Sequence, residues 1–203
     1  MDKAPKDVLV TIAMDLDLPS LLRWCQSSSR IQRDVCNNQN VWRGRLLRDY
    51  PDYERFNLKK SLKETYVFMY QLELIKQLLG TKESLYDIFL RPDIDLSEIE
   101  LKKVPAFDLP NLQVLNLSFN KLTKLPKFDL PSVRYLFLSN NQLKEVPVFD
   151  FPKLEELYLQ NNQLTEVPEF RLPKLETLNL HNNRFGEEKM RIMKSKYGHK
   201  VLF

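Results

Sequence analysis

From Leu112 to Phe185 the chain repeats one pattern at a fixed offset of twenty-one positions, the step from Leu115 to Leu136, and that period limits the fold more than any other feature. Leu115, Leu136, Leu157 and Leu178 fall in one column, and Leu117, Leu138, Leu159 and Leu180 in a second. Asn120, Asn141, Asn162 and Asn183 make a third, and Leu122, Leu143, Leu164 and Phe185 a fourth. Leu112, Val133, Leu154 and Leu175 open the copies. A unit this short cannot enclose a core by itself, so each copy must bury its apolar columns against the next one, and the copies must stack in a row.

Each column has its own physical reason. Successive side chains of a short strand point to opposite faces, so Leu115 and Leu117 turn inward while Val114, Asn116 and Ser118 turn outward. The same alternation sends Tyr135, Phe137 and Ser139, then Glu156, Tyr158 and Gln160, then Thr177, Asn179 and His181 to the outer face. The Asn that follows turns the chain, and its amide is expected to bond backbone groups of neighbouring copies. Pro105, Pro126, Pro147 and Pro168, and again Pro110, Pro131, Pro152 and Pro173, fix an extended return path with no room for a full helix. Phe107, Phe128, Phe149 and Phe170 recur at the same offset and predict an aromatic spine on the return side.

Written out, the columns spell L-x-x-L-x-L-x-x-N-x-L, which resembles the leucine-rich repeat. The resemblance implies a solenoid with parallel strands on a concave side and extended turns on a convex one. Ile94, Leu96, Leu101, Val104 and Pro105 match the columns while Ile99 stands in the Asn place, so residues 88–108 read as a degenerate first copy of an array over 88–186. After Phe185 the Pro and Phe columns stop, and the charged, amphipathic residues 187–203 read as a C-terminal cap.

Ahead of the array the period changes. Val8, Leu9, Ile12 and Leu16 share a helical face, Pro19 suits the first turn of a second helix, and Trp42, Leu46 and Leu47 belong to a later one. Pro5, then Val8-Leu9, Ile12 and Leu16, then "DLPSLLR", Cys25, Ile31 and Val41-Trp42 follow in an order and spacing that resembles the F-box. Ala4 and Ala13 depart from it, standing where that family carries larger apolar side chains. The stretch "CNNQNVWRGRLLRDYP" is similar to F-box-like proteins of giant DNA viruses. The resemblance implies docking on the Skp-type adaptor of a cullin-RING ubiquitin ligase through Pro5, Val8, Leu9, Ile12, Leu16, Leu18, Pro19, Leu22 and Trp42. On the plainer reading the same apolar residues are only the core of a small helical domain.

The two resemblances together imply an α+β chain: an F-box-like helical domain over residues 1–50, a helical linker or N-terminal cap over 51–87, then the repeats and their cap. Within the linker, "SLKE" from Ser61 is a capping-box start. Leu62, Tyr66, Met69, Leu72, Ile75 and Leu79 form a stripe, and Gly80 suits the stop.

The residues that could do chemistry are few. With four glycines no phosphate-cradling loop can be built. His181 and His199, the only histidines, are well separated in sequence and have no Cys or carboxylate at ligand spacing, so no metal or other cofactor is expected. No Ser or Cys sits in a recognisable nucleophile setting, so the chain reads as no enzyme. Cys25 and Cys36, eleven positions apart, are expected to be buried free thiols. The Asn116-Leu117-Ser118 sequon falls inside a strand, and chance accounts for it. Residues 8–14 are too short an apolar run to span a bilayer, no leader is legible, and the expected compartment is the cytosol or nucleus, that of a host cell if the source is viral.

What remains is a surface. Tyr135, Phe137 and Tyr158, ringed by amides and hydroxyls, match the make-up of a protein-binding hot spot. Glu156 stands among them where a nucleic-acid face would place Lys or Arg. The expected function is a substrate-recruiting adaptor with an unknown protein target, binding neither nucleic acid nor membrane. The alternative is a binding or sequestering scaffold with no ligase.

Overall fold

The structure is a computed structural model that describes residues 4–203. The chain divides into two compact units, Met1–Glu73 and Leu74–Phe203.

In the first unit α1 (Lys6–Asp15), α2 (Leu18–Ser27) and α3 (Ser29–Ile31), which runs on into a π turn over Gln32–Cys36, lead to α4 (Gln39–Asp49). A short 3-10 turn (Tyr53–Phe56) then precedes α5 (Leu62–Leu79). The caps are legible residue by residue. Asp17 accepts from the Ser20 N–H at 2.6 Å ahead of Pro19, and Ser28 and Asn38 cap α3 and α4. Ser61 and Glu64 close the expected box at the start of α5, and Gly80, at φ +59°, follows its end. Gly44 lets α4 lie close to α1, since a Cβ there would meet the Met14 side chain at 3.2 Å.

Leu9, Leu18, Leu21, Trp42 and Leu46 fill the core of this unit. Trp42 also donates to the Cys36 carbonyl at 2.8 Å. This corrects the docking set. Leu9, Leu18 and Trp42 face the interior, almost fully buried together with Leu21, Ile31, Val35, Val41 and Leu46. Val8, at 42% exposure, is on the surface with Pro5 and Pro19, and Ile12, Leu16 and Leu22 are half-buried. Leu47, expected beside Leu46, is exposed.

A second correction concerns the cysteines, which form a disulfide. Cys25 shares the inner face of α2 with Leu18 and Leu21, Cys36 ends the π turn, and their Cα atoms are 5.9 Å apart, within bridging range.

The second unit begins with the end of α5 and with α6 (Leu85–Leu90), whose Ser84–Asp87 capping box the sequence reading misses. A parallel six-stranded sheet follows in chain order: β1 (Asp93–Asp95), β2 (Val114–Asn116), β3 (Tyr135–Phe137), β4 (Glu156–Tyr158), β5 (Thr177–Asn179) and β6 (Val201–Leu202). Register steps by one repeat period through β1 to β5, so Ile94, Leu115, Leu136, Leu157 and Leu178 form one buried row. The terminal segment holds α7 (Glu187–Tyr197) and then supplies β6, a strand that its charged composition hid.

The Asn column stitches the copies together. Asn120, Asn141 and Asn162 each donate to the carbonyl of a Leu in the preceding copy at 2.8 to 2.9 Å and to carbonyls of their own turn. Each also accepts a backbone N–H of the copy before, Leu101, Leu122 and Leu143 in turn. On the return side Phe107, Phe128, Phe149 and Phe170 are buried, with ring centroids 5.5 Å apart for the first two and 5.3 Å for the last two. Opposite charges one period apart pair across copies as well, Glu100 with Lys121, Glu145 with Lys124 and Asp150 with Arg171, each exposed and so of small effect.

One position breaks the column logic. Phe119, Asn140, Asn161 and Asn182 all have φ between 52° and 57°, a left-handed backbone that Asn tolerates and a bulky side chain resists. Asn161 donates to the Asn140 amide oxygen at 2.9 Å and Asn182 to that of Asn161 at 2.8 Å, whereas Phe119 is 56% exposed. Phe119→Asn should relieve backbone strain and offer an acceptor to Asn140. The expected outcome is a gain of about 1 kcal/mol in the repeat unit, measured as slowed exchange of its amide hydrogens.

Candidate binding face

The outward strand positions form two rows. Asp93, Val114, Tyr135, Glu156 and Thr177 stand side by side in one, and Asp95, Asn116, Phe137, Tyr158 and Asn179 in the other. Those of β2 to β5 are half-buried and those of β1 exposed. Phe137 and Tyr158 stack at 5.1 Å between centroids with their planes 16° apart, so the register brings together aromatics that the sequence places one period apart.

The polar groups hold the rings in place. Tyr158 donates its hydroxyl to Glu156 at 2.8 Å, and that bond, then burial, raises the phenol above its ordinary pKa. Tyr135 donates to Glu155 at 3.2 Å, and Arg134 grips the same carboxylate through two bonds of 2.9 Å, with its guanidinium 5.4 Å from the Tyr135 ring. The Arg134 bond holds the Glu155 carboxyl below the usual range, and the Glu155 bond raises Tyr135. Burial works against ionisation of Asp95, but the Ser97 hydroxyl and N–H and the Asn116 amide outweigh it, so its carboxyl stays below the usual range.

The alternation argument fails at the third position of each copy. Ser118 and Ser139 are buried and bond to each other at 3.0 Å, Gln160 is half-buried with its amide oxygen enclosed and unbonded among the described residues, and only His181 is exposed. Each of β2 to β5 is three residues long, so the backbone has already begun its turn toward the Asn column when it reaches these side chains. Sequence reasoning missed Asp93 and Asp95. The signal was present, since Asp95 lies one period before Asn116 and follows the matched Ile94.

Among the described residues no His, Cys, Asp and Glu cluster is suited to a metal ion, and no helix is long and apolar enough to cross a membrane. The face offers shape, aromatic surface and carboxylates held by hydrogen bonds.

None of the curated proteins matches this chain. Among solved structures it is similar to a leucine-rich-repeat protein of Leptospira interrogans, with 37% identity over 47% of this chain and 26% of that one and a TM-score of 0.43. It is also similar to YopM from Yersinia enterocolitica, with 30% identity over 61% of this chain and 29% of that one and a TM-score of 0.46. The chain thus spans less than a third of the length of either. The family model for leucine-rich repeats in two copies matches residues 110–150, 131–170 and 152–187, windows whose starts step by one period as the columns and the strand register do. Residues 110–187 are therefore leucine-rich repeats, and β1 and β6 extend their sheet by one strand at each end.

Proposed function

We infer that the repeat unit binds a protein through its strand face and that the chain acts as a recruiting adaptor without chemistry of its own. The observation that carries the reading is the stacked Phe137–Tyr158 pair held half-exposed on that face. An aromatic pair fixed by a neighbouring carboxylate is organised before a partner arrives, which lowers the ordering cost of binding.

The helical unit supplies the second half of the proposal. Its F-box-like order of residues supports docking on a Skp-type adaptor, with ubiquitin transfer on other subunits and this chain contributing proximity. The surface for that contact is Pro5, Val8 and Pro19 with the half-buried Ile12, Leu16 and Leu22. The cytosol or nucleus is the fitting compartment, and the wording of residues 36–51 supports a viral source acting in a host cell. Burial of Leu9 and Trp42 favours a second reading, in which the helical unit is a self-sufficient domain and the repeats sequester a partner without a ligase.

One pull-down separates them. Tagged wild-type chain and Val8→Asp are passed over a eukaryotic extract, with Tyr158→Ala in parallel. The adaptor reading expects the Skp-type protein on wild type, its loss on Val8→Asp, and its retention on Tyr158→Ala. Absence of the Skp-type protein from every sample ends the ligase link and leaves the scaffold.

A further inference from the structure

We propose that the segment captured by the strand face is cationic, with Lys or Arg side chains meeting Asp93 and Asp95 at one end and Glu156 at the other, across the Phe137–Tyr158 stack. The inference rests on the protein-binding reading above and names the chemistry of the partner. The chain as a whole carries a net charge of +4, yet the outward positions of β1 to β5 hold three carboxylates and no Lys or Arg. Of the neighbouring cations, Arg134 is held by both oxygens of Glu155, and Arg91, beside Asp93, is held by both oxygens of Glu83, so neither is free to neutralise them. A basic molecule with an acidic face presents that face to a partner of opposite charge, which speeds encounter and excludes acidic competitors.

Spacing sharpens the proposal. β1 and β4 are three strand intervals apart, about 14 Å. An extended polypeptide covers about 13 Å in four residues. A segment crossing the strands therefore puts two cations four residues apart over the two acidic ends, with the residue midway between them over β2 and β3, on the Phe137 side of the aromatic stack. A guanidinium can also lie on the Tyr158 ring, whose hydroxyl is held by Glu156.

The test uses the full chain and synthetic peptides with blocked ends, read by fluorescence anisotropy. The probe is Gly-Arg-Ser-Phe-Ser-Arg-Gly. The controls are the same peptide with Gln for both Arg, with Glu for both Arg, and with the two Arg made adjacent. Binding should be strongest for the probe, weaken several-fold between about 50 and 500 mM salt as charges are screened, and be undetectable for the Glu peptide. Asp95→Asn with Glu156→Gln, which keeps side-chain shape, should weaken the probe about tenfold, whereas Phe137→Ala should weaken the probe and the Gln peptide alike. If the Gln or Glu peptide binds as well as the probe and still depends on Phe137, the face binds protein and the cationic specificity is wrong. If no peptide shows binding that depends on Phe137, both readings fall together.

Discussion

Asn141→Ala should cost the repeat unit about 4 kcal/mol, the larger of the two effects expected from single side chains. The Asn141 oxygen accepts the Leu122 N–H at 3.0 Å, and its nitrogen lies 2.9 to 3.2 Å from the carbonyls of Leu117, Leu138 and Ser139. A primary amide has two hydrogens, so at most two of those three carbonyls are well bonded at once. Truncation therefore strands the buried Leu122 N–H, worth about 1–3 kcal/mol, and removes two donated bonds worth about 1 kcal/mol each from carbonyls that keep a second donor, Leu117 from Asn120, Leu138 from Asn162 and Ser139 from the Phe119 N–H. Asn183→Ala should cost less, because Asn183 is half-buried and near the end of the array. Asn141→Asp keeps the acceptor but turns a carboxylate toward three carbonyl oxygens, and should be no milder than Ala at neutral pH. Both tryptophans, Trp24 and Trp42, lie in the helical unit, so their fluorescence does not follow the repeats. Hydrogen exchange at the Leu122 and Leu143 amides does. A loss of protection at Leu122 worth less than about 1 kcal/mol, the low end for a stranded group, would show that the turn reorganises and that the column is not what joins the copies.

The same columns mark how far the sequence alone can be read. A row of identical copies repeats every neighbour relation at one offset, so Leu115 and Leu136, Asn120 and Asn141, and Phe137 and Tyr158 can be set side by side from the sequence. Even cross-copy charge pairs such as Arg134 with Glu155 obey the offset. What the offset cannot carry is the direction of a side chain once the strand has ended. Extending the strand alternation past the end of so short a strand sends Ser118 and Ser139 outward, and their small size in that column is the hint that they are buried.

In the helical unit no repeat relates distant positions, and contacts between helices depend on crossing geometry that the hydrophobic stripe does not encode. Cys25 and Cys36 therefore read as two isolated thiols, although two helical segments bring them together. Leu9 and Trp42 fit a docking motif and a private core equally well in sequence, and only burial separates the two. Arg45 gives no signal at all, because a charged residue in a charged stretch, "WRGRLLRD", reads as solvated surface.

Arg45 is nevertheless buried, and Arg45→Ala should destabilise the helical unit by about 3 kcal/mol. Its guanidinium reaches the end of α1, donating to the Ala13 carbonyl at 2.6 Å and the Leu16 carbonyl at 2.8 Å, where a helix leaves its last carbonyls without partners. It also donates to the Tyr66 hydroxyl at 2.8 Å, lies 4.7 Å from that ring's centroid, and is linked through the hydroxyl to Asp49 at 2.6 Å. The positive charge is thus balanced at one remove, through a phenol rather than by direct contact. Arg45→Met fills the volume and should recover only the packing part. Arg45→Lys keeps the charge but cannot span both carbonyls and Tyr66, so it should fall between Met and the wild type. Urea unfolding followed by Trp fluorescence measures all three. Acid gives an independent check on the relay. The Arg48 bond, with that of Tyr66, holds the Asp49 carboxyl below its usual range. A lowered folded-state pKa contributes stability that is present above the unfolded value, near pH 4, and is lost as pH falls through the folded one. Tyr66→Phe removes one of the bonds that lower it and should therefore flatten the acid dependence below about pH 4 while lowering stability at pH 7. An unchanged acid slope in Tyr66→Phe would show that Arg48 alone holds Asp49 and that Arg45 is not tied to it.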